Sequence, residues 1–113
     1  MLDVPPRPLT DREAGLVRWL LARGGERGAR FLPEVDDLRV VGVCGCGCAS
    51  IDFIQVDGGM RPFAEHLWDG PDGGGVFLFT VNDRLAGLEV YSFGDPAGLP
   101  EPTQLRPGPA LDA

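Results

Sequence analysis

Apolar residues recur with a clear helical period near the start of this chain. Between Thr10 and Arg23, the side chains of Ala14, Leu16, Val17, Leu20 and Leu21 fall on one broad helical face. In front of them, Thr10-Asp11-Arg12-Glu13 is a capping box: the Thr10 hydroxyl accepts from an early backbone N–H and Glu13 reaches back to the cap. Gly24-Gly25 supplies the stop. The pattern predicts a helix of about three to four turns. Trp19 stands at the edge of its apolar stripe, expected as a boundary residue whose ring covers the core rim under an Arg stem. Upstream, Pro5, Pro6 and Pro8 exclude a helix interior, so residues 1–9 are expected to be extended. Phe31, Leu32, Val35 and Leu38 keep a roughly helical spacing, and Pro33 sets the start of a short second helix.

From Arg39 onward the runs are short, β-branched and aromatic. Arg39–Val43, Ile51–Val56, Val76–Val81 and Leu85–Tyr91 read as strands, the last two joined by Asn82-Asp83, a strong hairpin signal. Between them, Asp57–Gly75 is broken by Gly58-Gly59, Pro62, Gly70-Pro71 and Gly73-Gly74-Gly75. It is expected to be a long loop with one helical turn near Phe63 to Leu67. After Gly94 apolar periodicity fades and five prolines follow. The fold predicted is α+β: an N-terminal helix, with a short second helix, packed on a roughly four-stranded antiparallel sheet. Residues 1–94 form the single domain and residues 95–113 an extended Pro-rich tail.

Length agrees with one core, since 113 residues suffice for one domain and not for two. The 17 Gly and 11 Pro require extensive turns. No basic segment precedes an apolar run at the start, and the longest strongly apolar stretch, Val76 to Phe79, is too short to span a bilayer. Three cysteines without disulfide-like spacing fit a reducing compartment, so a cytoplasmic location is expected.

Charge changes the picture of partners. Residues 1–39 hold seven Arg against seven acids, whereas residues 40–113 hold three Arg against ten, so the net charge of −7 belongs to the second part. Such a surface repels phosphate backbones and anionic lipid, which disfavours nucleic acid and membranes and favours a basic protein partner. The ten basic residues are all Arg, which reflects coding bias in a GC-rich genome more simply than a need for guanidinium.

The candidate chemistry is concentrated in Cys44-Gly45-Cys46-Gly47-Cys48, which contains every cysteine of the chain. Two geometries give opposite meanings. Along a continuing strand the three side chains share one face at intervals of about 6.6–6.8 Å, too spread for one ion and suited to small core residues. If Gly45 and Gly47 take positive φ, the backbone coils and aims three sulfurs at one point. A closed zinc site then needs a fourth ligand, for which His66 is the natural candidate and Asp52 or Glu65 a poorer one; Cu(I) accepts two or three sulfurs. The spacing matches neither the paired cysteines of zinc modules nor iron–sulfur runs. A thiol redox site ranks lowest, because only Arg39 is close enough in sequence to lower a thiolate pKa.

No GxSxG, HExxH or phosphate-binding loop is present. A general base assembled from His66 with Glu65, Asp52, Asp57 or Asp69 has no further support, so the reading leans away from an enzyme.

The stretches Val41-Gly42-Val43-Cys44-Gly45-Cys46-Gly47-Cys48-Ala49-Ser50-Ile51-Asp52-Phe53 and Leu85-Ala86-Gly87-Leu88-Glu89-Val90-Tyr91-Ser92-Phe93-Gly94-Asp95 resemble a family of small bacterial proteins of unassigned function from GC-rich genomes. The likeness spans roughly Thr10 to Pro100. It implies a single short domain in which the cysteine turn and the second stretch belong to one design, and it carries over no activity or ligand.

Two functions of different kinds follow. One is a small cytosolic protein that binds a metal ion, zinc among the candidates, through Cys44, Cys46 and Cys48, with His66 as a further ligand. The other is an acidic interaction domain, immunity-like or an adaptor, with purely structural cysteines and Asp52, Asp57 and Glu89 facing a basic partner. Oligomeric state is not legible in the sequence.

Overall fold

In the computed structural model, residues 2–55, 57–69 and 72–108 are described. The first segment is extended and forms a strand, β1 (Leu2–Pro8), followed by α1 (Asp11–Ala22) and α2 (Gly25–Phe31). A 3-10 helix, Leu32–Asp37, leads into β2 (Arg39–Val43) and the two-residue β3 (Ile51–Asp52). Next come β4 (Met60–Trp68), β5 (Gly74–Val81), β6 (Arg84–Ser92) and, after a short 3-10 turn, β7 (Leu105–Pro107). All pairs are antiparallel, in the order β1-β2-β3-β6-β5-β4-β7.

The α+β class and the helix-on-sheet arrangement are as the sequence predicts, but the sheet has seven strands among the described residues instead of four. Three differences account for this. The N-terminal prolines lie on an edge strand, where a missing N–H faces solvent instead of a neighbour. The expected loop with a helical turn at Phe63 to Leu67 is in fact the nine-residue β4. Finally, residues 96–108 do not leave the domain: Ala97, Leu99 and Leu105 pack against the core, and β7 pairs with β4. The remaining positions of the expected tail, 109–113, lie outside the described residues, as does Val56, the end of the strand expected at Ile51–Val56. That strand stops at Asp52.

The first helix follows its sequence signals closely. The Glu13 N–H donates to Thr10 Oγ1 at 3.1 Å and the Thr10 N–H to Glu13 Oε1 at 2.8 Å. Arg7, delivered by β1, adds a two-pronged contact to the same carboxylate at 2.8 and 3.0 Å. Burial opposes ionisation of Glu13, yet the Arg7 fork and the Thr10 amide outweigh it and hold the carboxyl below its ordinary range. The second helix starts at Gly25, earlier than Pro33, and Pro33 sits in the 3-10 helix behind it.

Leu16, Val17, Leu20 and Leu21 of α1 are buried against the sheet residues Phe63, Val76, Leu78, Leu88 and Val90. Each such side chain stabilises the fold by about 1.5–3 kcal/mol through apolar burial. Trp19 closes the rim, with the Arg23 guanidinium 3.8 Å from its ring centroid, as expected for a boundary residue. Both helices cover one face of the sheet. On the opposite face Phe79, Phe77, Tyr91 and Phe93 form a row with neighbouring ring centroids 6.5, 6.2 and 5.9 Å apart.

Candidate metal centre

The cysteines fill the connection between β2 and β3. Two hydrogen bonds close it: the Cys44 N–H donates to the Ser50 carbonyl and the Gly47 N–H to the Cys44 carbonyl, both at 3.3 Å. Gly47 has φ +92°, a conformation that side-chain-bearing residues rarely adopt, and this reverses the chain after Cys46. Of the two glycines expected to permit coiling, Gly47 alone takes positive φ. The continuing-strand geometry is therefore not the one adopted. The three Sγ atoms lie within 4.8 Å of one another, and Cys44 Sγ is 2.8 Å from Cys46 Sγ.

A tetrahedral ion with Zn–S bonds of about 2.3 Å spaces its sulfurs by about 3.8 Å. The cluster meets that spacing with small movements of exposed loop atoms. Cys46 is exposed, and Cys44 and Cys48 are half-buried. Through its contact with Cys46, the Cys44 thiol is pushed up to about 11. Cys46 is drawn below the ordinary thiol range by that same contact and by the Cys48 N–H, 3.4 Å from its sulfur. Of this pair, Cys46 is thus the sulfur that ionises first.

Ser50 anchors the loop to the sheet. Because β3 is only two residues long, Val90 on β6 has a strand on its β5 side but none on its β3 side, and there the buried Ser50 hydroxyl takes the vacant position. It accepts from the Val90 N–H at 2.8 Å and donates to the Val90 carbonyl at 3.0 Å. Its remaining lone pair faces Cys48 Sγ at 3.3 Å. On the other side, the Ala49 N–H donates to the Ala97 carbonyl at 2.9 Å. The three sulfurs border an open recess of 310 Å³, with Glu89, Tyr91 and Ser92 along its sheet side.

His66 does not join them. It lies on β4, separated from β6 by β5, and is buried beneath α1 with its ring edge-on to Trp19 at 4.8 Å between centroids. Its Nδ1 is bonded to the Ala64 carbonyl at 3.0 Å, which makes it a satisfied core histidine. Glu65, its expected orienter, instead accepts from the Tyr91 hydroxyl at 2.8 Å.

Asp52 and Glu89 do come together on the helix-free face. Burial raises the Glu89 carboxyl above its ordinary range and the nearby Asp52 charge adds to this; burial, then Asp3, raises Asp52. Asp57, the third expected partner residue, is exposed on the way to β4 and is not part of this pair. The sequence reading missed Ser50 and the bordering of the sulfurs by Glu89. The alternation of Gly87, Glu89 and Tyr91 against Leu88 and Val90 is the signal in the sequence from which the face of Glu89 can be read. No helix among the described residues is long and apolar enough to cross a membrane. No protein-family model matches this chain, and no curated protein or solved structure matches it either. The chemistry of the loop therefore stands on its own residues.

Proposed function

We propose that this protein binds one thiophilic metal ion through Cys44, Cys46 and Cys48, zinc being the first candidate and Cu(I) the second. The observation that carries this reading is the gathering of three sulfurs within 4.8 Å on one glycine-bent loop. Three thiolates satisfy Cu(I), while zinc takes a fourth donor from water or from the side of the recess where Glu89 stands. The three cysteines lie outside the core, which their loop touches only through Ala49 and Ser50. The ion is accordingly exchangeable, and its role is to be carried or sensed in a reducing compartment such as the cytoplasm. Native mass spectrometry and elemental analysis of reduced protein test this: one equivalent of metal, lost in Cys46→Ser, is the expected result. Metal-free protein after incubation with zinc and with Cu(I) defeats the reading.

A second reading, an acidic interaction domain for a basic protein, draws on the pairing of Asp52 with Glu89 beside an aromatic row whose end member, Phe93, is exposed. An arginine guanidinium stacks on such rings while its N–H groups meet carboxylates. Binding of an arginine-rich peptide that weakens with salt and is lost in Asp52→Asn/Glu89→Gln supports it. Peptide binding that is equal in that variant refutes it.

A further inference from the structure

The three sulfurs are not equivalent. Cys44 Sγ and Cys46 Sγ stand 2.8 Å apart, closer than sulfurs that merely pack and farther than the roughly 2.05 Å of a disulfide. Cys48 Sγ, although within 4.8 Å of both, has the Ser50 hydroxyl as a further partner at 3.3 Å. Cys46 is the exposed member of the set, and the Cys48 N–H points at its sulfur from 3.4 Å, a position that favours negative charge there. The geometry points to a modification site beyond the metal reading: Cys44 and Cys46 are a dithiol that hydroperoxides oxidise to an intramolecular disulfide, leaving Cys48 as a free thiol.

The step balances as follows. The Cys46 thiolate attacks one oxygen of the hydroperoxide; the S–O bond forms, the O–O bond breaks, and the departing alkoxide or hydroxide takes a proton. Cys44 then attacks the sulfenic sulfur of Cys46, the S–S bond forms, and the hydroxyl leaves as water with the Cys44 proton. Two thiols have lost two electrons and the peroxide has gained them. A disulfide across one intervening residue closes a small strained ring, and strain makes such a bond easy to reduce, so a dithiol reductant reverses the change. In metal-loaded protein the same oxidation removes two of the three sulfur ligands, a consequence that does rest on the metal reading.

The experiment uses the full chain, reduced and stripped of metal with a chelator, exposed to a small excess of hydrogen peroxide. Intact mass and a free-thiol count are followed together. Thiols should fall from three to one, with the mass lower by the two hydrogens lost, and both should recover on adding dithiothreitol. Tandem mass spectrometry of the digested, oxidised chain should show Cys44 joined to Cys46, which needs no variant. Cys48→Ser should lose both of its thiols, and Cys44→Ser and Cys46→Ser should form no intramolecular disulfide. Three persisting thiols, oxygen addition without a disulfide, linkage only between chains, or pairing that involves Cys48 would each overturn the proposal. Because the protein carries no metal in this assay, failure here leaves the metal result untouched, and a protein that binds no metal can still form the disulfide.

Discussion

Glu13 and Glu89 are both carboxylates in partly buried places, and their surroundings push them in opposite directions. Glu13 is held below its ordinary range, so its stabilising contribution is complete above the unfolded value of about 4.3 and disappears as pH falls through the lower folded value. Glu89 is held above its ordinary range, so its charge works against folding at neutral pH and that penalty is relieved as pH falls through the raised folded value. Glu13→Gln, which keeps a capping side chain but loses the Arg7 ion pair, should lower stability at pH 7 by about 1 kcal/mol. Glu89→Gln should raise it slightly. Urea titrations of both variants at pH 7 and pH 4 check the signs, and the two differences should shrink at the lower pH. At this scale the sequence spoke clearly only where the partners were local. Thr10 and Glu13 are three residues apart and legible as a cap, while the Arg7 contact depends on β1 folding back beside α1. The cysteine loop was legible as a choice between two geometries. What decided it, the reversal at Gly47, is a property of backbone angles that the residue names permit without requiring.

The most instructive element is β4. Phe63 and His66 both face the helices although they are three residues apart, a spacing that mimics a helical turn. The cause is an irregularity between Phe63 and His66 that includes Ala64 at φ +57°, so the strand skips a position and resumes its alternation. Inside a Gly- and Pro-rich stretch, that break hid the strand from any reading based on period. Ala64 holds a left-handed conformation that strains an L side chain by about 1 kcal/mol. Ala64→Gly should therefore raise stability by roughly 0.5–1 kcal/mol, seen as a higher urea midpoint at constant slope. A lower midpoint would mean that contacts of the Ala64 methyl with the core outweigh the strain. By contrast, the hairpin between β5 and β6 was plain, because Asn82 and Asp83 adopt φ of 52° and 60°, the left-handed pair that its two-residue turn demands. The short β7 escaped notice because three residues with a proline carry no period at all.

Taken as a whole, the molecule is one layer of helices on one layer of sheet, with its two edges closed by the Pro-bearing strands β1 and β7. The face without helices carries the aromatic row and, at one end, the cysteine recess. Because the core is assembled on the other face, metal and fold should separate experimentally. Cys46→Ser should abolish metal binding while far-UV circular dichroism and the metal-free melting temperature stay close to the parent. Added zinc should raise the melting temperature of the parent only, by the free energy of binding. A collapse of Cys46→Ser would instead make the loop a staple of the domain. Class and layer order were legible because α1 and the central hairpin are strongly patterned, whereas the strand count was not, since three strands lie in Pro-rich or irregular segments.

The hydroxyl of Ser50 ties these scales together. A central strand normally shields its amides through a neighbour that many bonds hold in place, but the Val90 amide is shielded by a single side chain that belongs to the cysteine loop. Each excursion of that loop away from the sheet opens this amide to solvent, so its exchange with deuterium reports how often the loop lets go. Ser50→Ala should speed exchange at Val90 far more than at Leu88, which β3 still covers. Anything that stiffens the loop, whether an ion or a bond between sulfurs, should slow it. The protein thus has a built-in reporter for the state of its cysteines, placed in the sheet and readable without touching a sulfur.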